Sequence, residues 1–234
     1  MNPILKFILA VIFLNLIAHK SIGQQQFLSL RQGLIISFMS DPKFLDTNES
    51  KFGYTAGISY EYGISKHLSL GIEVNYENRG YLRYNVIIDT SNGGLGLSHV
   101  GLPTSFNFRY FSFTLKITEK VNLGKKYFGF LSAGIMPAYL ILIKEIKQTT
   151  SGFYQPVAVS NVPFIDITDK AQEFDFGLFG DIGLGYKFND IYFVDVSFRL
   201  QQSLTTMDKN GYFPEGAHYN GGYVLAAKLG MMLK

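Results

Sequence analysis

The sequence contains no cysteine, which excludes disulfide bonds and thiolate metal sites. It also lacks any cluster of lysine and arginine, and charged residues make up 17% of the chain. The formal net charge of +3 falls to +1 if Lys6 and Lys20 are removed with an amino-terminal leader. These absences argue against a nucleic-acid partner and against a polybasic role at a membrane surface.

Long hydrophobic runs are missing as well. The apolar run at 7–18 is shorter than the about 20 residues that a transmembrane helix needs, and no later stretch supplies them. This run follows Lys6 and precedes small residues ending at Gly23, which is the layout of a secretory signal. We predict a signal peptide at 1–23, cleaved after Gly23, and a single domain at 24–234. The absence of cysteine excludes a lipoprotein anchor.

Aromatic residues are abundant, at 15% of the chain, and 24 of the 234 residues are glycine. For a soluble domain this composition is low in charge and high in Tyr, Phe and Gly. It is typical of β-barrels.

Two alternating runs, at 174–188 and 191–203, show the two-residue period of β-strands. Their apolar sets match if Phe188 lies opposite Tyr192, because directly opposed residues share a face. The pairs that follow are Asp181 with Arg199, Gly183 with Ser197 and Gly185 with Asp195. Each run is longer than the usual strand of about 5 to 6 residues and suits a tilted bilayer crossing. We interpret the pair as a transmembrane β-hairpin.

The same alternation recurs along the chain and predicts about eight strands. These are 28–39, 52–64, 68 to about 88, 100–117, 127–144, 174–188, 191–203 and 222–233. A second hairpin pairs Tyr60 with Ile72 and Ser59 with Glu73. In the fourth strand the apolar set changes parity beyond Tyr110, which predicts a β-bulge there. The nearly continuous apolar sequence of the fifth strand leaves its faces unassigned.

The connections between these strands alternate between short and long. Bacterial outer-membrane barrels have this asymmetry, with short periplasmic turns and long external loops. The predicted fold class is therefore all-β: an eight-stranded antiparallel up-and-down transmembrane β-barrel, preceded by a cleavable signal peptide. The alternative is a soluble β-sandwich with an apolar core.

The polar face of the strands carries small residues and isolated charges of both signs, as a narrow lumen requires. A Lys or Arg facing lipid at the bilayer midplane costs about 2 to 4 kcal/mol, so the charges should point inward. The predicted lumen network is Glu61, Glu73, Glu77, Arg79, Arg109, Asp175, Asp181, Lys187, Asp195, Arg199 and Lys228. We expect Asp181 and Arg199 to form a buried structural bridge; the alternative is a gated ion path. Aromatic girdles are predicted at Tyr54, Tyr62, Tyr76, Tyr110, Tyr186, Phe188 and Tyr192.

Three segments resemble the PorT-like outer-membrane β-barrel proteins, related in architecture to OmpX-like and OmpA-like eight-stranded barrels. They are YEYGISKHLSLGIEVNYENRGY, LGLSHVGLPTSFNFRY and FGDIGLGYKFNDIYFVDVSFRLQQSL. The resemblance covers nearly all of 24–234, although the chain ends in MMLK where such barrels usually end in an aromatic residue. It implies an integral outer-membrane protein of a Gram-negative bacterium. One branch of the family is associated with secretion and gliding machinery.

Catalytic and metal-binding sets are weak. Ser98 and His99 are adjacent, but neighbouring strand residues point to opposite faces, and His67 and His218 have no evident partner. The acidic residues of one long loop show no metal-loop spacing; they are Asp166, Asp169, Glu173 and Asp175. The glycines of GLFGDIGLG precede no helix and are no nucleotide fingerprint. We expect no enzyme activity, cofactor or metal; the alternative is an enzyme acting on lipid A or peptides.

Candidate interaction surfaces are the external loops at 146–172 and 206–221. They contain aromatic residues outside the membrane pattern: Phe153, Tyr154, Tyr212, Phe213 and Tyr219. The alternative is that these side chains cap the mouth of the barrel. We predict a non-enzymatic barrel with a structural or partner-binding role, with outer-membrane lipid and other envelope or secretion proteins as partners. An accessory part of a secretion or gliding apparatus is the alternative that the PorT-like resemblance implies.

Overall fold

The structure is a computed structural model, which describes residues 25–40, 48–83, 87–89, 96–98, 104–147, 164–209 and 219–233. The strands are β1 (Gln26–Ser40), β2 (Asn48–Gly63), β3 (Leu68–Arg83), β4 (Ile87–Asp89), β5 (Gly96–Ser98), β6 (Thr104–Asn122), β7 (Tyr127–Lys147), β8 (Phe164–Asp166), β9 (Phe174–Lys187), β10 (Tyr192–Ser203) and β11 (Tyr219–Leu233). One 3-10 turn, η1, covers Thr168–Lys170. Among these residues no helix is long and apolar enough to cross a bilayer. The predicted signal peptide lies outside the described residues.

The long strands close into an antiparallel barrel in the order β6-β3-β2-β1-β11-β10-β9-β7. Pairing of β6 with β7 completes the ring. β8 extends the sheet beside one end of β7, and β4 and β5 form a separate short pair. The predicted eight-stranded antiparallel barrel is confirmed, and the soluble sandwich is excluded.

The predicted register is confirmed in both hairpins. Asp181 lies opposite Arg199, and Ser59 lies opposite Glu73. In the β9–β10 turn the Asn189 Oδ1 accepts hydrogen bonds from the backbone N–H groups of Ile191 and Tyr192, at 2.8 and 2.7 Å. Asn favours turns through such side-chain bonds to its own backbone. The hydrogen bonds of the turn and the hydrophobic pattern of the strands therefore favour the same register.

The outward surface is an apolar band between two rings of aromatic side chains. One ring includes Tyr54, Tyr76 and Phe111, whose successive ring centroids lie 6.0 and 5.9 Å apart. The other includes Tyr127 and Tyr186 near the short turns, with centroids 5.2 Å apart. We call the end of the barrel away from these turns the outer end. Tyr54, Tyr76, Tyr186, Phe188 and Tyr192 have the predicted girdle positions, whereas Tyr62 is buried and Tyr110 points into the lumen.

The β-bulge predicted near Tyr110 is present at that level, but it is not in the fourth strand. Phe106, Phe108 and Tyr110 point inward and are buried, on the same face as Ser112 further along β6. The backbone of β6 stays regular against β3; only the chemistry of its inward face changes, from polar to aromatic. A register shift does occur at this level, because Arg109 pairs with Leu142 while Tyr110 pairs with Leu140. The extra residue is therefore on β7, not on β6.

Glycines of β9 and β11 make room for inward-facing phenylalanine rings. Gly185 lies opposite Phe128, Gly183 opposite Phe130, and Gly230 opposite Phe193. A Cβ at any of these glycines would overlap the ring of its partner. The glycine spacing in GLFGDIGLG thus has a packing explanation.

Replacing Gly185 by leucine is expected to lower the free energy of unfolding by about 1 to 3 kcal/mol, because it overpacks the ring of Phe128. Gly180 is the matched control: it lies on the outward face of the same strand, and its nearest neighbour is the Ser132 backbone oxygen at 4.0 Å from an added Cβ. The free energies of unfolding of Gly185→Leu and Gly180→Leu are measured by urea unfolding in detergent micelles, followed by circular dichroism. Adding Phe128→Ala to Gly185→Leu should restore stability. Equal stability of the two glycine variants would contradict the packing.

Candidate functional site: a sealed interior and an extended outer end

The middle of the barrel interior is organised around Glu73. Its carboxylate lies 2.8 Å from Arg199 Nη2, 2.7 Å from Lys116 Nζ and 3.4 Å from Arg31 Nη1. Glu73 itself is 2% exposed. Three cations from three other strands therefore converge on one buried carboxylate.

The predicted bridge between Asp181 and Arg199 is present. Arg199 donates through Nε to Asp181 Oδ1 at 2.9 Å and through Nη2 to Oδ2 at 2.6 Å. The guanidinium also lies over the ring of Phe179, with 4.3 Å from Cζ to the centroid. A bidentate pair restricts both side chains, so this contact holds β9 to β10 inside the barrel as well as through the backbone.

A second carboxylate, Glu61, collects cations nearer the short turns. It lies 2.8 Å from Lys116, 2.6 Å from Lys120 and 3.3 Å from Lys228. Lys228 also reaches Asp195 at 3.4 Å. Lys116 bridges Glu61 and Glu73, so the contacts form one continuous network across the lumen.

The outer half contains a smaller cluster around Arg79. Its Nε donates to Glu77 at 2.6 Å, and its Nη1 lies 3.7 Å from Asp175. Ser112 donates to Glu77 at 2.7 Å, and Thr205 donates to Asp175 at 2.7 Å. Buried charges are stable only when paired and hydrogen-bonded, and both carboxylates meet that condition.

Apolar layers close the interior above and below the charges. The outer layer stacks Tyr81 on Phe106, with ring centroids 4.8 Å apart, and Ile143 and Met207 pack against it. The lower layer consists of Phe128, Phe130 and Phe193, with Phe27 packed against it. The described side chains thus block the middle of the lumen, and a depression of about 420 Å³ remains at the mouth beside the short turns, lined by residues that include Phe27, Lys120 and Phe193.

The structure corrects two members of the predicted network. Arg109 has the outward parity of Phe111, because β6 does not change parity, and it is half-buried outside the lumen. Lys187 has inward parity but is exposed at the rim, where its Nζ donates to Asn122 Oδ1 at 3.2 Å. The remaining predicted members are buried in the lumen.

Three members were missed: Arg31, Lys116 and Lys120. The signal for Lys116 was present, since it lies between Leu115 and Ile117 on the polar face. Arg31 likewise has the parity of Ser29 and Gly33, opposite to that of Leu30 and Leu34 in the first strand. Parity alone could have placed both inward.

Among the residues that the structure describes, the catalytic and metal candidates do not converge. His67 Nδ1 lies 3.1 Å from the Lys120 backbone oxygen in an exposed turn. Ser98 is in β5, whereas His99 and His218 lie outside the described residues. Across the described ranges no group of three potential ligands could hold a metal ion. The four acidic residues are separated: Asp166 accepts a hydrogen bond from Thr168, Asp169 contacts Lys170, Glu173 contacts Lys209 and Asp175 points into the lumen.

The outer end extends beyond the aromatic girdle. Tyr139 packs on Phe174 at the girdle, and β7 continues to Lys147. Eight further residues at about 3.3 Å each reach about 26 Å along the strand. β6 and β8 pair with this extension.

The edge of this extension is ordered by β8 and η1. The side chains of Phe164 and Ile165 are exposed, and the ammonium of Lys144 lies 3.8 Å from the Phe164 ring centroid. Thr168 donates two hydrogen bonds to Asp166, from its hydroxyl and its backbone N–H, and these bonds hold the pKa of that carboxyl below its usual value.

The predicted loop contacts lie largely outside the described residues and stay predictions. Tyr219 was placed in a loop but is the first residue of β11, paired with Ser40. Phe153, Tyr154, Tyr212 and Phe213 lie outside the described residues.

Sequence comparison provides the family. The profile of the family described as outer membrane protein beta-barrel domain matches residues 24–209. The chain belongs to this family. Its members are outer-membrane barrels, so the apolar band of this family member faces outer-membrane lipid. No curated protein sequence matches the chain.

Solved structures similar to this family member include three bacterial proteins. Neisserial surface protein A is 13% identical, with a TM-score of 0.44, and the match covers 86% of this chain and 95% of that one. Ail of Yersinia pestis is 12% identical, with a TM-score of 0.42 and coverage of 88% and 99%. OprG of Pseudomonas aeruginosa is 10% identical, with a TM-score of 0.47 and coverage of 89% and 96%.

Proposed function

We propose that this outer-membrane barrel is non-enzymatic and acts as a structural anchor that binds a partner at its outer end. The observation that carries the proposal is the blocked middle of the lumen. Glu73 and Glu61 tie cations from several strands together, and aromatic layers lie above and below them. An interior that side chains fill has no room for a wide diffusion path. The interior then serves to make the barrel rigid, and a partner is bound by the external surface.

The outer end supports this proposal. It presents a sheet extension with exposed apolar side chains at Phe164 and Ile165 beside the cation of Lys144. Aromatic and cationic side chains on a rigid scaffold are typical of protein-binding surfaces. The predicted loop aromatics, Phe153, Tyr154, Tyr212 and Phe213, belong to the same proposal.

Site-specific photocrosslinking in intact outer membranes tests the proposal. A photoreactive amino acid at Ile165 should yield a discrete protein adduct. The control is Ile182, which is 61% exposed on the lipid face and should yield lipid adducts alone. In planar bilayers the purified barrel should show no wide-pore conductance. Steady large conductance, or lipid adducts alone at Ile165, would contradict the proposed role.

The narrower form of the proposal is an accessory role in a secretion or gliding apparatus of a Gram-negative bacterium. It is supported by the three PorT-like segments, and export by the signal peptide at 1–23 is part of it. Deleting the gene should change the set of secreted proteins. An unchanged set would remove this narrower role and leave the outer-end partner open.

The absence of enzyme activity is also part of the proposal. The remaining catalytic candidates are His99 and His218. His99→Ala and His218→Ala should leave lipid A and surface proteins unaltered, as judged by mass spectrometry. An altered product in either variant would favour the enzyme alternative.

A further inference from the structure

Three cations lie on the outward face of the barrel just beyond the outer aromatic ring. We call Lys51 on β2, Arg109 on β6 and Lys144 on β7 the outer cation patch. Arg109 is two residues beyond Phe111 of the ring, and Asn107, two residues further, pairs with Lys144. In strands tilted by about 40° each residue rises by about 2.5 Å along the membrane normal. The two β6 positions are therefore about 5 and 10 Å beyond the ring, at the depth of the lipid headgroups.

A β-bulge in β2 turns Lys51 toward the outside. Ser50 pairs with Tyr81, which points into the lumen. Tyr54 pairs with Asn78 on the outward face. Three residues of β2 therefore oppose two of β3, so the faces on the two sides of the bulge differ from strict alternation. Bulges at the rims of barrels re-aim side chains in this way. Strict alternation from Tyr54 would have placed Lys51 in the lumen.

The side chain of Lys51 is held in place across β3. Its Nζ donates to Ser105 Oγ at 2.6 Å and to Asn107 Oδ1. Both acceptors are on the outward face of β6. The aliphatic part of Lys51 passes over Gly80 on β3, where an added Cβ would lie 3.1 Å from the Lys51 Cδ. The ammonium is therefore fixed at the centre of the patch.

The positive charge of the patch is not neutralised within it. Across the described ranges none of its three cations forms an ion pair. Lys51 donates to neutral groups, and the ammonium of Lys144 lies 3.8 Å from the ring centroid of Phe164. Two acids are nearby, but both are farther from the aromatic ring. Glu49 lies two residues beyond Lys51, and Asp166, which pairs with Lys144, accepts the two hydrogen bonds of Thr168.

The patch is confined to one side of the barrel. On the opposite wall the outward row beyond Tyr223 is Phe38, Gly221 and Gln202, paired across β1, β11 and β10. In the described part of those strands no lysine or arginine has an outward position at this level. An even ring of cations would indicate general attraction to a charged membrane surface. A cluster on one wall indicates a site for a single headgroup.

We propose that the outer cation patch binds the phosphate of an outer-leaflet lipid, whose acyl chains lie against the apolar band below it. The guanidinium of Arg109 offers a planar fork that matches two phosphate oxygens, and Lys51 adds a point charge beside it. Basic clusters at the edge of a membrane are typical sites for lipid headgroups. The inference does not depend on the partner proposed for the outer end. Because Lys144 borders that surface, the test leaves Lys144 unchanged.

Binding of lipid A to the purified barrel in detergent micelles, measured by native mass spectrometry, tests the proposal. The wild-type chain should retain one lipid A. Arg109→Gln should raise the dissociation constant about tenfold, which corresponds to about 1.4 kcal/mol, and adding Lys51→Gln should raise it further. Lys66→Gln is the matched control, because it removes the same charge from an exposed turn at the other end of the barrel. The control should bind like the wild type. Equal losses in Arg109→Gln and Lys66→Gln, or a wild type that retains no lipid A, would overturn the proposal.

Two further probes separate the phosphate from the rest of the lipid. Dephosphorylated lipid A keeps the acyl chains and should bind the wild type and Arg109→Gln equally weakly. Inorganic phosphate at the same concentration as lipid A should not displace it, because it has no acyl chains to pack on the band. Equal affinity of the wild type for the two lipids would exclude recognition of the phosphate. Displacement by inorganic phosphate would overturn a lipid as the occupant. Heat-dependent mobility on gels checks that each variant is folded, as expected for changes outside the lumen.

Discussion

Replacing Glu73 by alanine is expected to lower the free energy of unfolding by about 3 to 5 kcal/mol, the usual loss when one partner of a buried ion pair is removed. Glu73 accepts contacts from Arg199, Lys116 and Arg31. Its removal leaves Arg31 with Asp181 alone, at 3.8 Å. The penalty arises from cations left under-compensated in a buried interior.

Urea unfolding in lipid vesicles measures this loss. Glu119→Ala is the control, because Glu119 is an exposed glutamate near the short turns. It should be nearly neutral. A double-mutant cycle with Arg199→Ala separates the pair from the rest of the network. If Glu73→Ala unfolded at the same urea concentration as the Glu119 variant, the network would not hold the barrel together.

Ile58→Arg is expected to lower the free energy of unfolding by about 2 to 4 kcal/mol, which is the penalty for a cation on the lipid face at the bilayer midplane. Ile58 is 55% exposed and pairs with Leu30 on one side and Val74 on the other, so apolar side chains surround it. The guanidinium would have to leave water without gaining a counter-ion.

The control for this experiment is the same substitution at a position nearer the membrane interface. Phe52 is on the same face of β2, beyond Tyr54, and is 74% exposed. Phe52→Arg should cost only about 0 to 1 kcal/mol, because it lies near the interface. Equal losses at the two positions would show that the outward face of β2 does not cross the bilayer.

The β9–β10 hairpin shows why much of this fold could be predicted. Strand side chains alternate strictly, so matching two apolar sets determines the register without any knowledge of the rest of the barrel. Asp181 and Arg199 face each other for that reason. The same parity places Arg31 and Lys116 inward.

β6 shows where the pattern misleads. Along β6 the apolar side chains change from the inward face to the outward face just after Tyr110, and a sequence cannot distinguish that change from a bulge. The inward aromatics are explained only by the layer that closes the outer end, where Tyr110, Phe108 and Tyr81 stack together. Arg109 was misplaced for the same reason.

The amino-acid sequence by itself determined the strand period, the registers of the two hairpins and the face of most side chains outside β6 and β7, because these depend on the alternation of neighbouring residues. Only the tertiary structure decided which charges meet across the lumen. Glu73 and Arg199 are separated by 126 positions, and they touch at 2.8 Å because β6 and β7 close the ring. Strand number and stagger set the width of a barrel, and therefore which inward side chains can reach each other.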